Sequence, residues 1–364
     1  MNPVAIYVHT PFCPSKCGYC DFNSYAMTGQ IVEDTVVALV KEIQSSPWRG
    51  RPAKTIFFGG GTPTFLSSAQ LLSILDAVIE AHPPIEDCEI TSEANPGTVD
   101  ATKFGAMRAG GFNRISLGAQ SFVPEELTRL GRIHGPNEIG RAVHAAREAG
   151  FDNVNIDLMF ALPGQSMRVW EQNLDSALAL KTDHLSLYCL TIEPNTRFYK
   201  LHLKGMLDLP DDDQQVAMYD LACSKAAKAG LDHYEISNFS KPNMQSKHNL
   251  CYWRCEEYIG YGPGAVGRLG DTRYTNLKHP NLYCSAVNSG EELWCDEEQL
   301  DADALKLESV MLGIRLSEGL NKSGLASGAI VELVGRGWVR EASDRLHLTS
   351  EGKHFCSEVA LALG

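Results

Sequence analysis

The amino-acid sequence predicts an α/β protein made of a partial (β/α)6 TIM-like barrel, a smaller α+β segment and a C-terminal winged-helix-like domain. Three observations predict this. Six short β-rich apolar runs alternate with stretches of helical periodicity, the pattern of a parallel sheet covered by helices. Polar and glycine-rich residues gather directly after those runs, as they do at the C-terminal face of a barrel. Near Asp301 the pattern changes to two helical runs, a hairpin and a further helix. At 364 residues the chain has room for about two domains, one of barrel size. The expected divisions are 1–235 for the barrel, 236–300 for the extension and 301–364 for the C-terminal domain.

The first strand is 5–9 (AIYVH), ending before Pro11. Apolar residues at helical spacing follow over 32–43. Strand two, 55–58 (TIFF), then runs straight into Gly59, Gly60, Gly61, Thr62 and Pro63. Three glycines let a backbone approach a ligand closely, so this reads as a binding loop rather than a bare turn. Strand three is 89–94 (EITSEA), followed by Asn95, Pro96 and Gly97, and strand four is 114–118 (RISLG), just before Gln120. Strand five, 154–159 (VNIDLM), contains Asp157, and strand six, 184–189 (HLSLYC), leads to Glu193. Helices are expected near 71–81, 102–108, 138–149, 170–180 and 214–229, while 258–265 (YIGYGPGA) reads as a strand-end loop. In the last unit, 305–312 and 328–334 read as helices, 338–340 with 346–349 as a hairpin, and the chain from Ser350 as a final helix.

The stretch richest in chemistry is 13–20, CPSKCGYC. Cysteines spaced C-x3-C-x2-C can each give a thiolate to one iron of a [4Fe-4S] cluster, which leaves the fourth iron open to a reactant. Three buried structural cysteines or a zinc knuckle are the plainer readings. Pro14, Ser15, Lys16 and Gly18 make this a polar loop, however, and no second C-x2-C or H-x3-H pair follows before Cys88. The chain has 11 cysteines, an odd number, and its start lacks the basic residues and cleavage site of a signal peptide. That combination predicts reduced thiols and a cytoplasmic setting. No apolar run is long enough to span a membrane, although peripheral attachment to one stays open. A net charge of -13 argues against a nucleic-acid groove.

The cysteine spacing resembles that of the radical S-adenosylmethionine (SAM) superfamily. The ordered motifs FFGGGTPT, EANPG, SLGAQSF, LGRIHG, NIDLMFALPGQ and LTIEP are similar to its coproporphyrinogen-dehydrogenase-like branch and cover the first half of the chain. The resemblance implies that Cys13, Cys17 and Cys20 hold the cluster and that the amino and carboxylate groups of SAM chelate the open iron. An electron from the cluster then cleaves SAM to a 5′-deoxyadenosyl radical. SAM contacts are implied at Tyr7, Tyr19, Gly60, Gly61, Thr62, Glu93, Gln120, Arg132 and Asp157. Tyr19 fits the aromatic position of the cluster loop, Arg132 can pair with the SAM carboxylate, and Glu93 and Asp157 can hold hydroxyls. Taken singly, Arg132 and Asp157 would serve as ion-pair residues and Tyr7 as a half-buried strand residue; the ordered series is what assigns them.

Within that branch, oxygen-independent coproporphyrinogen III dehydrogenases carry a further cysteine two residues after the third ligand and a longer segment before the cluster. Here that position is Phe22 and twelve residues precede Cys13, so the chain resembles more closely the HemW-type haem chaperones, whose loop reads C-x-Y-C-D-F. His248, Tyr252 and Trp253, in HNLCYW, match their H-N-x-x-Y-W motif. A neutral imidazole is a natural axial ligand of haem iron, and flat aromatic faces suit a porphyrin. Lys247, Arg254 and Arg268 are near enough in sequence to meet propionates; turn-capping, core and solvated roles are the ordinary alternatives for all six residues. Cys251 and Cys255 lie outside the motif and read as small buried cysteines, with thiolate ligation as the alternative.

The resemblance thus implies a radical SAM protein that binds haem as cargo and transfers it to haem-requiring respiratory proteins. It also implies an electron donor for the cluster, leaves room for a homodimer and assigns no catalytic residue. The competing activity is oxidative decarboxylation of coproporphyrinogen III in porphyrin biosynthesis, against which Phe22 stands; whether the protein is an enzyme stays open. In the winged-helix-like domain, Glu332, Glu341, Asp344 and Glu351 suit a packing or partner surface rather than DNA.

Overall fold

The computed structural model describes residues 2–364. Strands β1 (Val4–Thr10), β2 (Ala53–Gly60), β3 (Pro84–Ala94), β4 (Arg114–Gln120), β5 (Asn153–Phe160) and β6 (His184–Cys189) lie side by side in that order, all parallel. The connecting helices are α1 (Gln30–Gln44), α2 (Ser68–Ala81), α3 (Ala101–Ala109), α4 (Pro124–Leu130), α5 (Pro136–Glu148), α6 (Met167–Ala179), α7 (Arg197–His202) and α8 (Asp212–Lys228). Side-chain caps start several of them. Ser67 and Gln70 form a capping box on α2, Asp211 and Gln214 form another on α8, and Ser166 caps α6.

Strand alternation sorts the side chains into two sets. One set, including Ile6, Val8, Ile56, Phe58, Ile115, Leu117, Ile156, Leu158 and Leu187, is buried in a single apolar core together with Val36, Leu39, Leu71, Leu75, Ile139 and Leu174 of the helices. The alternate positions face into the barrel and are mostly polar or glycine: Tyr7, Glu93, Ser116, Gly118, Gln120, Asn155, Asp157, Ser186 and Tyr188 all line its cavity. The same period of two therefore builds both the core and the site.

The sheet extends beyond the six expected strands. A hairpin of β7 (Asp232–Glu235) and β8 (Asn238–Ser240) adds to β6 in antiparallel fashion. After α9 (Lys247–Trp253), β9 (Tyr258–Tyr261) pairs parallel with β1. β10 (Val266–Leu269), β11 (Thr272–Asn276) and, after α10 (Pro280–Ser289), β12 (Trp294–Gln299) continue it antiparallel. The order is β12-β11-β10-β9-β1-β2-β3-β4-β5-β6-β8-β7, so the barrel is open. Residues 258–261, expected to be loop, are thus a strand. The reason is close packing: a Cβ at Gly260 would stand 2.1 Å from the Val266 carbonyl oxygen.

The C-terminal unit consists of α11 (Ala302–Gly313), β13 (Leu320–Asn321), α12 (Ser327–Gly335), β14 (Val339–Ala342), β15 (Arg345–Leu348) and α13 (Cys356–Leu363), with a three-stranded sheet ordered β13-β15-β14. It buries a core of its own around Val310, Ile314, Leu333, Leu346 and Val359. The last helix starts at Cys356 rather than Ser350, because 350–355 forms turns that press Gly352 against the Trp338 carbonyl. Among the described residues no helix is long and apolar enough to cross a membrane.

Candidate functional site

The inward-facing residues and the loops at the C-terminal ends of β1–β6 enclose a cavity of about 530 Å³. Cys13, Cys17, Cys20, Tyr7, Tyr19, Gly60, Gly61, Thr62, Glu93, Gln120, Arg132 and Asp157 all lie on its wall, so the structure brings every expected cluster and SAM residue together.

The cysteine loop leaves β1 and is pinned by backbone bonds from Cys13 N–H to the Tyr25 carbonyl (3.0 Å) and from Gly18 N–H to the Leu130 carbonyl (3.1 Å). All three thiols are free. Cys13 Sγ accepts from Thr62 Oγ1 at 3.5 Å and Cys17 Sγ from Arg132 Nη1 at 3.6 Å, so polar donors face the sulfurs. Burial pushes the thiols of Cys13 and Cys20 up. The glycine loop proves to be a clamp on this loop: Gly61 N–H donates to the Thr10 carbonyl and Thr62 N–H to the Phe12 carbonyl, each at 2.8 Å. A Cβ on Gly61 would sit 2.6 Å from that Phe12 oxygen. Gly60 has φ +108°, and a Cβ there would enter the His9 ring. Arg132 is anchored by Nη2 to the Gly118 carbonyl at 2.6 Å, while its buried Nε has no acceptor. Three thiols, a bare backbone cradle and an orphaned guanidinium N–H fit a cluster carrying an anionic ligand.

Two carboxylates face the same space. Burial, then the nearby Asp157 charge, raises Glu93 to about 8, and its carboxyl accepts from Gly60 N–H at 3.2 Å. Asp157 is also raised by burial and accepts from Asn155 Nδ2 at 2.7 Å and Ser116 Oγ at 3.2 Å. Tyr7 Oη bonds His9 Nδ1 (2.9 Å), whose Nε2 meets the Asn23 carbonyl (2.9 Å). Those partners assign the ring proton to Nε2. Gln120 adopts φ 67° where the β4–β5 register slips, a strained conformation held at the mouth of the site. Sequence reasoning missed Arg114, Ser116, Asn155, Ser186, Tyr188 and Asn249, which also line the cavity. For the strand residues the signal was present: Ser116 and Asn155 stand at the inward period of two that carries Gln120 and Asp157.

The HNLCYW segment forms α9, a plug in the barrel floor. Glu89 accepts from the N–H groups of Lys247 and His248, each at 3.0 Å. His248 is 1% exposed and stacks on Phe57; its Nδ1 bonds Thr55 Oγ1 and its Nε2 bonds Tyr252 Oη, both at 2.8 Å. Burial drives its pKa down to about 3. Both ring nitrogens are thus engaged in this conformation. Lys247 pairs with Asp87 (2.7 Å), Arg254 with Glu318 (2.8 Å) and Arg268 with Glu308 (3.4 Å). Cys251 is buried and bonds the Lys247 carbonyl, in keeping with a structural role. Tyr252, Trp253 and Cys255 line a second cavity of about 500 Å³, which shares Tyr7, Phe22, Gly60, Glu93 and Tyr252 with the first.

Residues 7–177 match the Radical SAM superfamily model. The chain is 38% identical to the haem chaperone HemW of Bacillus subtilis, with 97% of each chain covered, and 39% identical to that of Escherichia coli, covering 99% of this chain and 97% of the relative. The chain belongs to the HemW family. Another HemW, that of Mycobacterium tuberculosis, is 37% identical over all of this chain and 95% of its own. The solved structure of Escherichia coli coproporphyrinogen III oxidase HemN, a radical SAM enzyme, shares the HemW-family fold seen here. Its TM-score is 0.85 at 23% identity over 99% of this chain and 90% of that one.

Proposed function

We propose that this chain is a radical SAM haem chaperone that binds haem and passes it to haem-requiring respiratory proteins. The observation that carries the reading is its end-to-end likeness to relatives named haem chaperone HemW, at 36% to 39% identity. Phe22 supports it, since the dehydrogenases of the branch resembled have a fourth cysteine there. Cys13, Cys17 and Cys20 hold a [4Fe-4S] cluster, reduced by an outside donor, beside SAM; when bound, the pair supplies one-electron chemistry at the SAM sulfonium.

The chain's own residues orient that pair. Arg132 would offer its free Nε to the SAM carboxylate, and Tyr19 its ring face to the adenine. Burial keeps Glu93 protonated near neutral pH, and its carboxyl would hydrogen-bond an amino or hydroxyl group of SAM. Gly60 and Gly61 keep side chains out of the cradle, while Tyr7, Thr62, Gln120 and Asp157 present polar atoms to SAM. Tyr252 and Trp253 would offer haem their ring faces in the second cavity, and His248 would be available to iron once the Tyr252 hydroxyl turns away from Nε2. Residues 1–235 carry the cofactors, 236–300 the haem face and 301–364 a partner surface; the setting is cytoplasmic or peripheral to a membrane, as monomer or homodimer.

The test is haem transfer to an acceptor apoprotein by anaerobically reconstituted protein, alongside turnover of coproporphyrinogen III with SAM and reductant. The expected outcome is haem transfer without decarboxylated product, with transfer impaired when Cys13, Cys17 and Cys20 are all changed to Ser. Decarboxylated product in step with 5′-deoxyadenosine would overturn the reading.

A further inference from the structure

Arg114 opens β4 and is 2% exposed, yet its side chain makes no hydrogen bond and its buried Nε has no acceptor. The nearest carboxylate oxygen, on Glu89, is 3.9 Å from Nε and already accepts from the N-terminal N–H of Lys247. The other two carboxylates of the barrel interior are also supplied: Glu93 by Gly60 N–H, and Asp157 by Ser116 and Asn155. Glu89 thus balances the charge of this buried guanidinium, but its N–H donors lack a hydrogen-bond acceptor, which is costly unless a ligand completes them. Arg114 lines the first cavity, so its unsatisfied donors face space a ligand can enter. Asn249, on α9, lines the same cavity and makes no side-chain hydrogen bond.

We propose that Arg114, assisted by Asn249, forms a carboxylate-binding subsite in the barrel interior below the cluster and SAM residues. A guanidinium suits a carboxylate because its planar fork gives two parallel N–H···O bonds. The shared wall of Tyr7, Gly60, Glu93 and Tyr252 joins this space to the second cavity. In the haem form of the proposal, a porphyrin held against Tyr252 and Trp253 extends one propionate arm past these shared residues into the first cavity. A free small carboxylic acid offers the same chemistry. The haem source rests on the function proposed above, whereas the subsite itself does not.

The test has two arms on cluster-reconstituted full-length protein. In the first, haem and haem dimethyl ester are titrated against wild type, Arg114→Met and Asn249→Asp. In the second, thermal unfolding is followed with sodium propionate, with chloride at equal ionic strength and with propionamide. Wild type is expected to bind haem about tenfold or more tightly than the ester and to be raised in Tm by propionate alone. Both variants are expected to lose these preferences. Asn249→Asp puts a negative charge on the wall of the same cavity and keeps the test decisive if Arg114→Met fails to fold. Propionate stabilisation without haem-over-ester preference keeps the subsite and assigns it to a free acid. Equal binding of haem and ester together with no propionate effect overturns the proposal, while haem binding itself would leave the chaperone reading standing. Failure to bind either porphyrin, with propionate still stabilising, would sink the chaperone reading and keep the subsite.

Discussion

Gly61 shows how little freedom a single position can have. Its N–H holds the Thr10 carbonyl, and a methyl group there would collide with the backbone of Phe12, the residue before Cys13. Backbone cannot swing aside as a side-chain tip does, so Gly61→Ala is expected to push the cysteine loop out of register and to cost about 1–3 kcal/mol of stability. Iron and sulfide bound per chain after anaerobic reconstitution should fall well below wild type. Gly105→Ala, on α3 with open space where the Cβ would go, should be neutral or slightly stabilising. Normal cluster content in Gly61→Ala would refute the clamp. At this scale the cysteine spacing and the triple glycine were legible because unusual residue types stood together. Arg114 was not, since an arginine at the start of a strand looks like a solvated end until the neighbouring strands and α9 close over it.

Single elements were legible wherever their periodicity was local. The six barrel strands and the helix over 32–43 announced themselves through apolar spacing, whereas β9 to β12 are short and defined by partners far along the chain. Glu42 shows what such partners do. From α1 its carboxyl reaches the extension, accepting from Tyr283 Oη at 2.5 Å, Asn276 Nδ2 at 2.7 Å and Gly262 N–H at 2.8 Å. Burial outweighs these bonds and raises its pKa from 4.5 to about 7. The folded chain therefore keeps a proton that the unfolded chain releases between those values. The stabilisation is complete below pH 4.5 and is lost as pH rises through about 7, a difference of about 3 kcal/mol. Wild type should lose about 2 kcal/mol more stability than Glu42→Gln between pH 5 and pH 7.5, read from urea unfolding at both values. Parallel pH profiles for the two proteins would show that Glu42 is charged throughout.

The open sheet has two far edges, and the C-terminal unit ties one of them to strands near the other. Glu308 of α11 takes Arg268 of β10 and Arg273 of β11, while the segment after α11 reaches β7 through Arg315 to Glu235 and Ser317 N–H to the Tyr234 carbonyl. Sequence composition marked this unit as separate but held no hint of its bridging role, because each contact joins residues tens of positions apart. The ties are unequal. Arg273 is partly exposed and should contribute less than about 1 kcal/mol. Arg315 neutralises Glu235, whose side chain is fully buried, and covers the Trp253 ring at 4.6 Å. Arg315→Ala leaves a buried carboxylate with only the Ser237 N–H and the Asn238 amide as donors, at an expected cost of about 3 kcal/mol. The same change removes the cation from Trp253, so native-state tryptophan emission should shift, whereas Arg273→Ala should leave it unchanged. Guanidinium unfolding followed by fluorescence measures both quantities at once. If the two variants were equally stable, the C-terminal unit would be resting on the barrel rather than holding its open side together.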